Sequence, residues 1–175
     1  IYLSHTGIAK VHRNRLYKSD DSPQGYGLYM NYCYGVTDKM TEITANTIIG
    51  GYNYVAYLYE CYSNNGLSTA DILFANNELI QVGSSGTYMM YQYRGGKWQN
   101  INNSILNIGV CTYMININTA QSAGLNFSNN IIANLGTCTY PFYSASVTAT
   151  YIGNVDYNDY WKGNATGVAY WGAAY

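Results

Sequence analysis

The sequence predicts an all-β chain, an antiparallel β-sandwich or jelly roll of about ten strands. Three observations carry that prediction. Runs rich in Tyr, Ile, Val and Thr recur with Gly and Asn turns between them, at a spacing of roughly 8–15 residues. Helical spacing of apolar residues is confined to one stretch, Leu67–Ala75, which reads as a short helix capped by Ser68 or as a strand. There is no fixed-length repeat and no heptad, which argues against solenoids and coiled coils. The 175 residues suit a single domain, 19–175, preceded by a basic segment, 1–18.

Taken in order, Ile1–Leu16 contains β-branched residues and can pair as an edge or exchanged strand. Ser19–Gly27 is turn chemistry, with Asp20, Asp21, Pro23 and Gly25. Leu28–Val36 and Met40–Ile49 read as strands, followed by Tyr52–Tyr62. This last stretch has tyrosines on both faces of a period-two pattern, as expected of a strand covered on both sides. Ser63–Gly66 is a turn, and Glu78–Gly83 and Thr87–Arg94 are short strands. Ile105–Thr119 reads as one long half-buried strand, and Leu125–Leu135 and Thr137–Tyr140 as shorter ones. Tyr143–Tyr151 alternates most cleanly, and the Gly- and aromatic-rich tail from Asn154 to Tyr175 supplies a last strand.

Composition narrows the function classes. Charged residues are 10% of the chain, and tyrosine is present 22 times against three Phe and three Trp. A surface made soluble by Asn, Ser, Thr and tyrosine hydroxyls suits outer surfaces and assemblies. The first residue is Ile1 rather than Met, so removal of a leader or precursor segment is expected. No apolar run is long enough to span a membrane as a helix. Cys33, Cys61, Cys111 and Cys138 form no CxxC pair, which favours two disulfides over zinc. The expected pairing is Cys33–Cys61 and Cys111–Cys138, each joining strands near one another in sequence. Sequons at Asn102, Asn126 and Asn164 are glycosylation acceptors in a secreted chain. Lys10, Arg13, Arg15 and Lys18 lie in the first 18 residues with no acid, on a body that is otherwise net negative. That asymmetry points to self-association.

Candidate chemistry is sparse. A Ser/His/Asp triad would have to use His5 or His12, both in the basic segment and without a nucleophile motif. Their spacing supports no transition-metal site, and nucleic-acid binding would rest on the basic segment alone, so no nucleic-acid partner is expected. Asp20–Asp21 and Asp156/Asp159 leave Ca²⁺ as an option without a motif, and no other cofactor is expected. Trp98, Trp161 and Trp171 sit near Gly-rich turns and are candidate platforms for stacking on glycans. Glu60, the single charge in Tyr52–Tyr62, is the first candidate for a catalytic carboxylate; without a partner it reads as a strand-end carboxylate bonded by tyrosine hydroxyls or Arg94.

The stretch Leu79-Ile80-Gln81-Val82-Gly83 is similar to the LQxG motif of the glutamic peptidases, acid proteases on a concanavalin-like jelly roll. Tyr88–Tyr93 resembles their YxAWYEWYP strand, and Ala149–Asn154 their AEW(I/V)xE strand. The resemblance implies a jelly roll and a catalytic Gln81. Thr150 stands where the family's catalytic Glu belongs, so a dyad would need Glu60 or Glu78 instead.

The function expected from these residues is a secreted, non-enzymatic filament or sheath subunit, a homopolymer. Its copies would be joined by N-terminal strand exchange through Ile1, Tyr2, Leu3, Ile8, Lys10, Val11, Arg13 and Arg15. The alternatives are a monomeric glycan-binding or adhesive module and, third, a glutamic-peptidase-like acid protease.

Overall fold

The computed structural model describes residues 1–19, 25–36, 39–62, 71–118, 125–144 and 152–171. Strands β1–β19, numbered in chain order, wind as a parallel β-solenoid with three sheets. The first coil is β1 (Tyr2–Ser4), β2 (Lys10–His12) and β3 (Arg15–Tyr17). The sheet begun by β1 continues through β4 (Tyr26–Asn31), β7 (Tyr54–Tyr59), β10 (Tyr88–Tyr93), β13 (Tyr113–Ile117), β16 (Tyr140–Ser144) and β19 (Ala169–Trp171). The second sheet continues from β2 through β5 (Thr41–Thr44), β8 (Ile72–Ala75), β11 (Trp98–Ile101), β14 (Leu125–Ser128) and β17 (Ile152–Asp156). The third continues from β3 through β6 (Thr47–Gly50), β9 (Glu78–Gln81), β12 (Ser104–Asn107), β15 (Ile131–Asn134) and β18 (Asp159–Trp161).

This corrects the antiparallel sandwich and, with it, the resemblance to the concanavalin-like jelly roll. Each strand pairs in parallel with the strand one coil later, as Tyr54 does with Tyr88 and Ile48 with Leu79. Residue alternation is the same for either direction of pairing, so it could not separate the two. Absence of a fixed repeat misled for a further reason. The coils differ in loop length, so equivalent positions recur at uneven spacing while the strands stay in register. Met40–Ile49, expected as one strand, is β5 and β6 with a bend at Ala45-Asn46; Ile105–Thr119 and Leu125–Leu135 are likewise divided between two strands. Leu67–Ala75 ends in strand β8, and its first residues lie outside the described ones, as do Asp20, Asp21, Thr150 and most of Tyr143–Tyr151.

Inward columns of like residues fill the solenoid. Leu16, Ile48, Leu79, Ile105 and Ile132 stack in the third sheet. Val11, Ile43, Phe74 and Phe127 align in the second, with Asn100 taking the fourth place and receiving a 2.9 Å bond from the buried Gln92 Nε2. The segment 1–18 shares this interior: Val11 is buried, and Leu3 and Leu16 pack against the core. Where the third sheet turns back to the first, successive coils touch through backbone. A Cβ on Gly109 would lie 2.2 Å from the carbonyl oxygen of Gly83.

The corner between the second and third sheets is the most regular part of the molecule. A residue with left-handed φ is followed at each coil by an asparagine: Arg13, Ala45, Asn76, Asn102, Asn129 and Tyr157 have φ of 54–57°. Asn tolerates this conformation better than other residues with a side chain, which accounts for the Asn-Asn pairs at 76, 102 and 129. Ala45 is exposed and carries the steric cost without contributing packing. Ala45→Gly or Ala45→Asn is therefore expected to stabilise the fold by about 1 kcal/mol. A urea midpoint that does not rise would show that the bend is not strained at this coil.

Candidate functional site: a tyrosine-paved sheet face

The outward surface of the first sheet is the largest concentration of one chemistry on the molecule. In β4, β7 and β10 the strand starts with an outward tyrosine, buries two residues, and then alternates. In β7, Tyr54, Tyr57 and Tyr59 are half-exposed, while Val55, Ala56 and Leu58 are buried. The two consecutive buried residues break the period of two, so the tyrosines all reach one side. This differs from the two-faced strand expected from alternation. The sequence signal is a recurring Tyr-x-x-Tyr, beginning at Tyr26, Tyr54, Tyr88 and Tyr140; its uneven spacing hid it.

Parallel register places these tyrosines above one another. Tyr2, Tyr29, Tyr57 and Tyr91 form one row with ring centroids 4.9–5.2 Å apart. It is interrupted at Asn116 and resumes at Tyr143 and Tyr170, 5.0 Å apart. Tyr26 and Tyr54 stack at 5.3 Å, Tyr88 and Tyr113 at 5.6 Å. Tyr59 and Tyr93 stack at 4.8 Å at the far edge. In-register parallel strands lie about 4.8 Å apart, close to the distance at which offset rings stack, so the sheet itself sets the geometry. Stacked rings cover one another's faces, leaving mainly edges and hydroxyls toward solvent. An array of this kind is rigid, uncharged and able to hydrogen-bond.

Mutual burial also alters the phenols. Burial, and then the neighbouring tyrosines, push Tyr29, Tyr54, Tyr57 and Tyr113 above their ordinary value, and burial does the same for Tyr91. A group whose pKa is raised by folding stabilises the fold below its unfolded value and loses that contribution as pH rises through the folded value. Stability is therefore expected to hold through neutral pH and fall above about pH 10. Tyrosinate absorbance during an alkaline titration checks this. An ionisation step at the free-tyrosine position, with no accompanying loss of structure, would contradict it.

At one edge of the face, Arg94 Nη1 donates to Glu60 Oε1 at 3.0 Å. Burial and the nearby Glu60 carboxylate raise the phenols of Tyr32 and Tyr59. Glu60 is thus a strand-end carboxylate paired with Arg94. Gln81 is buried at the end of β9, where Nε2 donates to Tyr52 O at 3.1 Å and Oε1 accepts from Tyr52 N at 3.3 Å. Tyr52 precedes β7 and Glu60 follows it, so about 20 Å of strand separates the Gln81 amide from Glu60. They form no dyad.

The remaining predicted residues are dispersed. Trp98 is fully buried and its Nε1 donates to Cys61 O; Trp171 stacks on Phe142 at 5.6 Å; Trp161 is 63% exposed on β18. Asn102 and Asn164 are exposed and Asn126 is half-exposed. The two expected disulfides are not present. Cys33, Cys61, Cys111 and Cys138 are buried free thiols, with Cys33 beside Cys61 and Cys111 beside Cys138 one coil apart. The adjoining Cys61 thiol holds the Cys33 thiol below its ordinary value. Ile1, Tyr2, Leu3, Lys10, Val11 and Arg15 lie on the first coil and pair with the chain's own second coil; Ile8 and Arg13 are at its left-handed bends. Lys10 Nζ meets Glu42 there at 3.2 Å.

Among the described residues no three His, Cys, Asp or Glu side chains cluster as metal ligands, and no helix is long and apolar enough to cross a membrane. No family model, curated protein or solved structure matches the chain.

Proposed function

We propose that this is a non-enzymatic structural protein of the cell exterior that assembles with copies of itself, and that the tyrosine face is its lateral contact. The observation that supports this reading is the sheet face of stacked tyrosines, interrupted only at Asn116 in its longest row, with no charged side chain among its outward strand positions. Rings already held by their neighbours lose little freedom on association, so two such faces adhere at low entropic cost. The hydroxyls supply hydrogen bonds that are exchanged with water when the faces part. Seven strands of three to six residues span on the order of 500 Å², at the small end for one interface. Lateral pairing of single molecules is then weak and becomes strong only when many copies are aligned.

Stacking on sugars fits this face less well, because ring faces are covered by neighbouring rings. The test is a Tyr57→Ser/Tyr91→Ser/Tyr143→Ser variant, checked by circular dichroism for an intact β fold. Light scattering at increasing concentration should show lateral association of the native chain and its loss in the variant. Equal association of the two proteins would sink the reading.

A further inference from the structure

We infer that the tyrosine array is also a relay for one-electron oxidising equivalents, carrying an electron hole from the first coil to the last by exchange between neighbouring rings. This goes beyond self-assembly and needs only one copy of the chain. Its substrate class is a one-electron oxidant of phenols, such as a peroxidase-generated or photochemically generated radical. A one-electron reductant of the ascorbate type restores the array.

The rings form a continuous path. Tyr2, Tyr29, Tyr57 and Tyr91 follow one another at 4.9, 5.2 and 5.2 Å, with interplanar angles of 3°, 4° and 29°. Asn116 ends that row, but the path turns aside within β10. Tyr91 stacks on Tyr88 at 5.2 Å, Tyr88 on Tyr113 at 5.6 Å, Tyr113 on Tyr143 at 4.0 Å and Tyr143 on Tyr170 at 5.0 Å. The path crosses every strand of the first sheet, and no step exceeds 5.6 Å. Among the described residues, only the Tyr88–Tyr113 stack joins the rings before Asn116 to those after it.

Electron exchange between rings weakens steeply with separation, because it depends on the overlap of their π orbitals. The first and last strands are about 29 Å apart, too far for direct exchange, whereas each ring on the path stacks on the next. Like donors make each step nearly neutral in energy. Burial and then the neighbouring rings hold the phenols of Tyr29, Tyr57 and Tyr113 above their ordinary value, and burial does so for Tyr91. These four are therefore protonated at neutral pH, and none is a tyrosinate that would trap the hole.

Electrons and protons balance at every step. The first ring gives one electron to the oxidant and its hydroxyl proton to water, leaving a neutral phenoxyl. The next ring supplies an electron to that phenoxyl and loses its own proton to water, while the first ring regains a proton. At the far end the reductant returns one electron, and the last phenoxyl takes up one proton. Every ring on the path is half-exposed or exposed, so solvent can take and return these protons.

Flash photochemistry on the full chain tests the relay, at a dilution where lateral contact plays no part. His5 is exposed on the first coil and stacks on Tyr32 at 4.9 Å. It takes a ruthenium polypyridyl photo-oxidant by imidazole coordination once His12→Gln leaves it as the only histidine. Tyr32 leads to Tyr59 and Tyr59 to Tyr57, at 6.1 Å each. Aminotyrosine, more easily oxidised than tyrosine, replaces Tyr170 as the trap. A flash should give an aminotyrosyl radical there, read by electron paramagnetic resonance. Tyr113→Phe keeps a stacked ring that cannot become a phenoxyl, and it should abolish the trapped signal. Tyr54→Phe, beside the path, should leave it. No radical at the trap with the array intact, a signal undiminished by Tyr113→Phe, or equal loss with Tyr54→Phe would each overturn the relay. None of these outcomes touches the lateral contact, which light scattering scores separately.

Discussion

Asn103→Ala is expected to destabilise the protein by about 3–4 kcal/mol. Its amide has no vacant site. Nδ2 donates to Phe74 O at 2.9 Å and to Asn130 Oδ1 at 3.0 Å, while Oδ1 accepts from Asn77 N and Asn77 Nδ2 at 3.0 and 3.1 Å. The side chain is buried, so alanine leaves the Phe74 carbonyl and the Asn77 N–H without partners in a place water does not reach. Each orphaned backbone group costs about 1–3 kcal/mol, whereas an exposed hydrogen bond lost to water costs far less. Asn158→Ala, at the half-buried last rung, should cost only about 1 kcal/mol in the isolated chain. Urea unfolding of the two variants side by side measures the contrast. Equal shifts would mean that the ladder derives no strength from burial.

Trp98→Ala should cost about 3–5 kcal/mol. The indole is fully buried at the start of β11, its Nε1 donates to the Cys61 carbonyl, and Gly95 packs against the ring with a virtual Cβ only 3.2 Å away. Removal opens a cavity between coils and strips a buried carbonyl of its donor. Trp98→Phe keeps most of the volume and loses the hydrogen bond, so it should fall between native and alanine. Thermal unfolding checks the order. An alanine variant as stable as native would return Trp98 to the surface role that its Gly-rich neighbourhood suggests.

The mixture of success and failure in the sequence follows from which interactions are local. β-rich content was legible because β-branched and aromatic runs with Asn and Gly turns are a local signal, and of the partners expected for Glu60, tyrosine hydroxyls or Arg94, the structure shows Arg94. The direction of pairing was not legible. Met40–Ile49 alternates whether it pairs with the next strand in sequence or with one a coil away. Its bend at Ala45 carries no Gly or Pro to mark it, because the following Asn46 holds the corner through neighbours in other coils. The repeat was present as Tyr-x-x-Tyr and Asn-Asn pairs, but unequal loops removed its fixed period.

What the sequence determined alone is the chemistry: β propensity, few charges, many tyrosines, and half of the basic residues concentrated in the first 18 positions. Only the tertiary structure decided what these residues do together. Winding as parallel coils brings residues far apart in sequence to one strand spacing, and like residues then stack on like. That spacing turns scattered tyrosines into one face and scattered asparagines into one ladder.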